Sequence, residues 1–256
     1  MQDKPIGFFD SGVGGLSVLK YALSVMPEEN YIYFGDSLNA PYGTKSSDEV
    51  YTLTENAVFN LIDQGAKAIV IACNTATSIS VDKLRTKTNI PIISMEPAIK
   101  PALEQTNGKV LLLATSVTIS SDRVNNLITR YDKYKRVIKV SCQQLAKKIE
   151  EAVFSSADLD SYLKELLLPY KNDNVSAVVL GCTHYPFISH KISEYLGENI
   201  KIYDGIDGTV SHLKDVLNEN KIKNVSDKKG YTIINSSLND EKAVELYNKL
   251  LNGGIL

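Results

Sequence analysis

Short apolar runs rich in β-branched residues alternate along the chain with longer stretches whose apolar positions recur every three or four residues. The runs have the length and composition of buried strands and the stretches have helical period, so the pattern predicts a βαβα succession, a parallel sheet covered by helices. Eight strands are expected, at Ile6–Phe9, Tyr31–Phe34, Ala68–Ala72, Ile90–Ser94, Val110–Ala114, Val137–Val140, Ala177–Gly181 and Ile200–Tyr203. Ser46 with Glu49 three residues later has the capping-box pattern, opening a helix that Gly65 closes.

The second four strands match the first four in order. Asp10 stands 105 positions before Thr115, Cys73 stands 109 before Cys182 and Ile90 stands 110 before Ile200, the gentle drift of two copies that differ in loop length. The expected fold class is α/β: two similar open-sheet α/β lobes related by pseudo-symmetry, with the active site in the cleft between them. The segment MEPAIKPALE, carrying Pro97 and Pro101, reads as the crossover. Beyond Tyr203, DGTVSHLKDVLNEN and LNDEKAVELYNKLLNG have helical spacing around a short strand, Tyr231–Asn235, and are expected to return to the first lobe. The expected division is 1–97 with 210–256 for the first lobe and 98–209 for the second.

Composition removes several classes of protein. With 256 residues, 43% apolar and 23% charged, the chain can bury a core and is not of disordered type. It has no uninterrupted apolar stretch of the roughly 18 residues a membrane span requires. The net charge of −2, from 28 basic and 30 acidic side chains, provides no field that would recruit nucleic acid or an anionic membrane. MQDKPIGFFDSG lacks the signal-peptide pattern, so the expected compartment is cytoplasmic. Three cysteines without close spacing read as free thiols, not as a disulfide framework or zinc ribbon, and no metal site is expected.

The chemistry concentrates in two look-alike segments, AIVIACNTATS ending at Ser78 and AVVLGCTHYPF ending at Phe187. Each runs a strand into a cysteine and then into helix-starting polar residues, which puts Cys73 and Cys182 at the carboxyl ends of buried strands, where open α/β sheets place ligands. A lone cysteine is usually a small buried hydrophobe, the reading kept for Cys142; two at equivalent strand ends place proton-transfer groups on opposite faces of one small molecule. At a helix N-terminus each thiol is expected to fall below its ordinary value of about 8.5. Asp10 and Ser11 follow the first strand, and Gly12, Gly14 and Gly15 are expected to let backbone N–H groups approach an anion. This run lacks the third glycine of a dinucleotide fingerprint, since Ser17 stands there. Thr183 and His184 flank Cys182, and an imidazole with an ordinary value near 6.5 tunes a thiol or carries a proton at neutral pH. Asn74 and Thr75 after Cys73, and Tyr42 and Gly43 in GDSLNAPYGTKS, complete the polar set. His190 and His212 are read as ordinary surface or packing residues.

Taken together, DSGVGG, GDSLNAPYG, ACNTATS, MEPAIKPA and LGCTHYP closely resemble the glutamate-specific branch of the cofactor-independent aspartate/glutamate racemase family. The resemblance implies a two-lobe α/β isomerase that interconverts L- and D-glutamate with no cofactor and feeds D-glutamate into peptidoglycan. It assigns Cys73 and Cys182 as the acid/base thiols, Asp10 as the carboxylate beside Cys73 and His184 as the partner of Cys182. It places Asp10, Ser11, Tyr42, Gly43, Asn74, Thr75, Thr183 and His184 at substrate-contacting positions, with Thr115 and Thr118 as weaker candidates. Two departures stand out. Where many members have a proline-containing segment leading to an assisting glutamate, this chain reads SCQQLAKKIEE, which leaves the role of Glu150 open. Where many have Asp-Ser-Gly, it has Asp204, Gly205 and Ile206. A homodimer is left open, as is an aspartate or other amino-acid racemase of the same family. A single-thiol hydrolase would need only one of the two cysteines, and a non-enzymatic anion sensor would need neither.

Overall fold

The computed structural model describes residues 2–154 and 159–252. Nine strands and eleven α-helices follow one another in the expected alternation among the described residues. The strands are β1 (Ile6–Asp10), β2 (Tyr31–Gly35), β3 (Ala68–Ile71), β4 (Ile92–Ser94), β5 (Lys109–Ala114), β6 (Val137–Ser141), β7 (Val175–Gly181), β8 (Lys201–Asp204) and β9 (Thr232–Ser236). The helices are α1 (Leu16–Val25), α2 (Ser47–Asp63), α3 (Asn74–Arg85), α4 (Ile99–Gln105), α5 (Ser116–Ser120), α6 (Asp122–Tyr131), α7 (Leu145–Phe154), α8 (Leu159–Leu167), α9 (Ser189–Leu196), α10 (Ile206–Glu219) and α11 (Glu241–Leu251). Short 3-10 turns cover Ser37–Asn39, Tyr42–Thr44, Leu168–Tyr170 and Tyr185–Ile188.

The strands form two all-parallel sheets, one ordered β4-β3-β1-β2-β9 and the other β6-β5-β7-β8. Read from the opposite edge, the second order is β8-β7-β5-β6, the same succession as the first without β9. In each sheet the chain passes from the first strand to a neighbour on one side and then crosses back to the other side. This reversal leaves a crevice at the carboxyl ends of the two central strands. The first crevice lies between β1 and β3, ending in Asp10 and Cys73; the second lies between β5 and β7, ending in Thr115 and Cys182.

Helices cover both faces of each sheet. On one face of the first sheet Phe8, Tyr31 and Val70 pack with Leu19 of α1, Leu213 of α10 and Tyr247 of α11; on the other, Phe9, Ile32 and Ile71 pack with Val58 of α2 and Leu84 of α3. Because these strands are apolar on both sides, their sequences are continuous apolar runs rather than alternating ones. The second sheet is covered in the same way, with Leu113 and Leu180 against Leu145 and Ile192 on one face and Val110 and Val179 against Ile99 and Val124 on the other. Ser46 and Glu49 form a reciprocal capping box at the start of α2, and Gly65 follows its end with φ of +92°. β9 pairs in parallel with β2, which brings the C-terminal segment onto the first sheet. The ladder of β4 starts at Ile92, two residues later than the apolar run, because Pro91 has no N–H and joins only through its carbonyl, which accepts from Ile69 N–H at 2.9 Å. No helix among the described residues is long and apolar enough to cross a membrane.

Candidate active site

Local chemistry at each strand end orients the first two groups. Cys73 is the N-cap of α3, and its sulfur receives the Ala76 N–H at 3.5 Å while the thiol faces Ser11 Oγ at 3.4 Å. Asp10 ends β1 and turns back on its own loop, where Oδ1 accepts from Gly12 N–H at 3.0 Å. In the other lobe Cys182 Sγ lies 3.7 Å from His184 Nδ1, and His184 Nε2 lies 2.6 Å from Glu150 Oε1 of α7.

The two lobes then exchange hydrogen bonds through their carboxylates. Thr183 of the second lobe donates to Asp10 Oδ2 of the first at 2.9 Å, and Val13 N–H of the first donates to Glu150 Oε1 of the second at 2.8 Å. On the far side of the cleft Thr75, Thr115 and Thr118 form a hydroxyl triad with separations of 3.0, 3.3 and 3.0 Å. Asn74 is buried, and neither its amide nitrogen nor its amide oxygen has a hydrogen-bond partner. A buried, unpaired donor and acceptor are costly, and an amino-acid ligand would satisfy both.

Nine of the ten residues singled out from sequence are buried in this cluster or its walls, and Gly43 is half-buried, with its Cα facing Thr115. Cys73 is 5% and Cys182 8% exposed, so the cleft is closed. A cavity of about 940 Å³ lies elsewhere, on the outer seam lined by Ser78, Asp82, Ser116 and Arg123. The Tyr42 hydroxyl donates to Asp36 Oδ2 at 2.6 Å. Cys142 is packed in the second core with Leu145 and Tyr185. Among the described residues no group of three or more His, Cys, Asp or Glu side chains is arranged to hold a metal.

One expectation changes. The Cys73 thiol is not lowered by its helix position; burial, and then the Asp10 charge, push it up to about 12, because desolvation of a thiolate outweighs the Ser11 and Ala76 contacts. Gly12 and Gly14 also lie on the lobe seam. A Cβ on Gly12 would stand 1.8 Å from Glu150 Oε1, and one on Gly14 would stand 2.4 Å from Thr183 Oγ1 and 2.6 Å from His184 Nδ1. Burial raises the Asp10 carboxyl to about 6, with His184, Thr183 and Gly12 pulling it back. Burial alone would lower His184, but its bonds to Cys182 and Glu150 prevail and hold it well above the ordinary imidazole value. Glu150, whose role the sequence left open, is therefore part of the cluster. Ser37, which bonds Glu150, and Tyr247, which bonds Ser37, carried no sequence signal.

Two parallel α/β lobes, each with a buried thiol just past a central strand, define the class of the fold and its site. The chain belongs to the Asp/Glu/hydantoin racemase family, whose model matches residues 17–213. It is similar to the glutamate racemase of Clostridium perfringens, with 47% identity over 253 residues that cover 98% of this chain and 97% of that one. Its fold is similar to that of a glutamate racemase from Francisella tularensis solved with D-glutamate, with a TM-score of 0.82, 32% identity and coverage of 100% and 96%. A glutamate racemase isoform from Bacillus anthracis superposes with a TM-score of 0.85 at 28% identity, again covering 100% and 96%.

Proposed function

We propose that this chain is a glutamate racemase, an isomerase that interconverts L- and D-glutamate by moving the α-proton between two thiols. The observation that carries this reading is the placement of Cys73 and Cys182 at equivalent strand ends of opposed lobes, each with its own carboxylate: Asp10 beside Cys73, and Glu150 behind His184 at Cys182. In one direction Cys182, with His184 Nδ1 3.7 Å from its sulfur, serves as the base and Cys73 as the protonated acid. Cys182 sulfur takes the α-proton of one enantiomer, the bonding electrons remain on Cα, and Cys73 returns its own proton to the opposite face. The C–H bond broken and the C–H bond formed balance, and the two sulfurs end with their protonation exchanged. Because the thiols supply both base and acid, the reaction uses no cofactor. Exclusion of water by lobe closure strengthens the fixed dipoles that face the carbanion.

Asn74, the Thr75–Thr115–Thr118 hydroxyls, Ser11, Tyr42, Gly43 and Thr183 form the substrate-binding wall in this reading. The two lobes are read as 1–97 with 210–256 and 98–209, with α10 running across the second boundary and packing on the first sheet, and residues 1, 155–158 and 253–256 lying outside the described ones. The product serves peptidoglycan synthesis, and the three free, buried cysteines suit a reducing cytoplasm. The test is isotope exchange. In deuterated water, L-glutamate yields D-glutamate labelled at Cα while early recovered L-glutamate stays unlabelled, and Cys73→Ala and Cys182→Ala each abolish this turnover. Label appearing equally in substrate and product would reject the two-thiol mechanism. Turnover of L-aspartate in preference to L-glutamate would reject the substrate.

A further inference from the structure

The two oxygens of Glu150 have separate tasks. Oε1 holds His184 and Val13 N–H, whereas Oε2 accepts from Ser37 Oγ at 3.5 Å. Ser37 Oγ lies 2.6 Å from the Tyr247 hydroxyl, which in turn accepts from Ser236 Oγ at 3.3 Å. The proton order along this chain has one consistent solution. Ser236 donates to Tyr247, Tyr247 donates to Ser37, and Ser37 donates to the carboxylate, so each hydroxyl in the middle accepts one bond and gives one. Bonds aligned in this way polarise one another, most strongly where they end on a charge in a dry interior.

The geometry of the ring supports a dedicated fit. Tyr247 is fully buried on α11 and stands edge-on to Tyr33, with centroids 5.9 Å apart and planes at 81°. A Cβ at Gly35 would come within 2.7 Å of the Tyr247 ring and hydroxyl, so the ring enters only because residue 35 has no side chain. Burial keeps the phenol neutral and available as a donor. Hydrophobic packing would be served equally by phenylalanine, and what tyrosine adds is the hydroxyl that reaches Ser37.

We propose that Ser37 and Tyr247 are positioning residues: they fix the plane of the Glu150 carboxylate so that Oε1 meets His184, and they make proton transfer at Cys182 depend on the seating of the C-terminal helix α11. This inference rests on the racemase reading above. Losing Oε2's partner leaves the carboxylate held through Oε1 alone, so that its plane can turn. His184 then loses alignment with the Cys182 sulfur, while Cys73 and the substrate-binding wall stay as they are.

The test compares Tyr247→Phe, Ser37→Ala, the double variant and Ser37→Thr with the unsubstituted protein, using L- and D-glutamate deuterated at Cα. Tyr247→Phe and Ser37→Ala are expected to lower kcat threefold or more with KM within about twofold. The double variant should be no worse than the poorer single one, because both break the same chain. Ser37→Thr restores the hydroxyl and should restore the rate. The primary isotope effect should rise for the enantiomer whose proton Cys182 removes and stay level for the other, a split that general loosening of the fold would not produce. A change in kcat of less than threefold, or an equal rise of both isotope effects, overturns the proposal. Ser37 is only half-buried, so its variants report even if Tyr247→Phe fails to fold. If the unsubstituted protein does not racemise glutamate, the functional reading fails instead, which separates the two outcomes.

Discussion

A carboxylate buried at a strand end beside a thiol has to pay for its charge, and Asp10 shows how much. Its value of about 6, raised mainly by burial, means that the folded protein binds a proton there between roughly pH 4 and 6 that the unfolded chain does not. Stability from this group is therefore greatest below its unfolded value of 3.8 and is lost as pH rises through about 6. At about 1.4 kcal/mol per unit, the loss is on the order of 3 kcal/mol. In the mechanism proposed above the ionised form is the one that assists Cys73, so activity is expected to move the other way. The pH profile of kcat/KM should rise through an acid limb near 6 that disappears in Asp10→Asn, while that variant is more stable than the parent at pH 7. A limb unchanged in Asp10→Asn would assign it to another group. At this scale the sequence was informative wherever chemistry and position coincide in a few residues, as in Asp10, Cys73 and the Cys182–Thr183–His184 run. It was silent on Ser37 and Tyr247, which meet across 210 positions, and the height of the Cys73 thiol is decided by burial that no short motif reports.

At the scale of elements, two kinds of glycine have different physical reasons. Gly65 ends α2 with φ of +92° and has nothing within 4 Å of a Cβ, so only its backbone demands glycine. Gly65→Ala should cost about 1–2 kcal/mol of stability, seen as a lower Tm, with kcat unchanged. Gly14 lies in the loop between β1 and α1, where a Cβ would strike Thr183 and His184. Gly14→Ala should keep the parent's Tm within a few degrees but lower kcat/KM by about 100-fold, because displacement by an ångström at reacting groups is that costly. Equal activity in the two variants would show that the seam tolerates a wedge. The glycine-rich run was readable as unusual backbone, but what approached it was the other lobe's side chains, and that depends on lobe docking. The strands were legible for a simpler reason: sheets buried on both faces write themselves as unbroken apolar runs.

Across the whole molecule, the same strand succession occurs twice, and the chemistry around it differs. Where Asp10 ends β1, Thr115 follows β5 as the N-cap of α5, so the thiols keep the pseudo-symmetry while their surroundings break it. The spacing of the repeats disclosed this doubling; the way the lobes lean together did not follow from it. Part of that contact is an ion cluster on the outer seam, where Arg123 of α6 lies 3.2 Å from Asp82 of α3 and 2.6 Å from Glu96. These groups are partly exposed, so Arg123→Gln should cost no more than about 1 kcal/mol of stability. It should raise KM about two- to fivefold with kcat unchanged by favouring the parted lobes, and about 0.5 M salt should reproduce the effect in the parent but add little in the variant. A change in kcat alone would place Arg123 outside closure. The closed cleft also bears on the lifetime of the protein in a cell that meets peroxide. Sulfur at a strand end is oxidised through its thiolate and only where an oxidant can reach it. With both sulfurs buried, an oxidant reaches them only when the cleft opens, and a cell rich in glutamate shields the enzyme simply by keeping that cleft occupied.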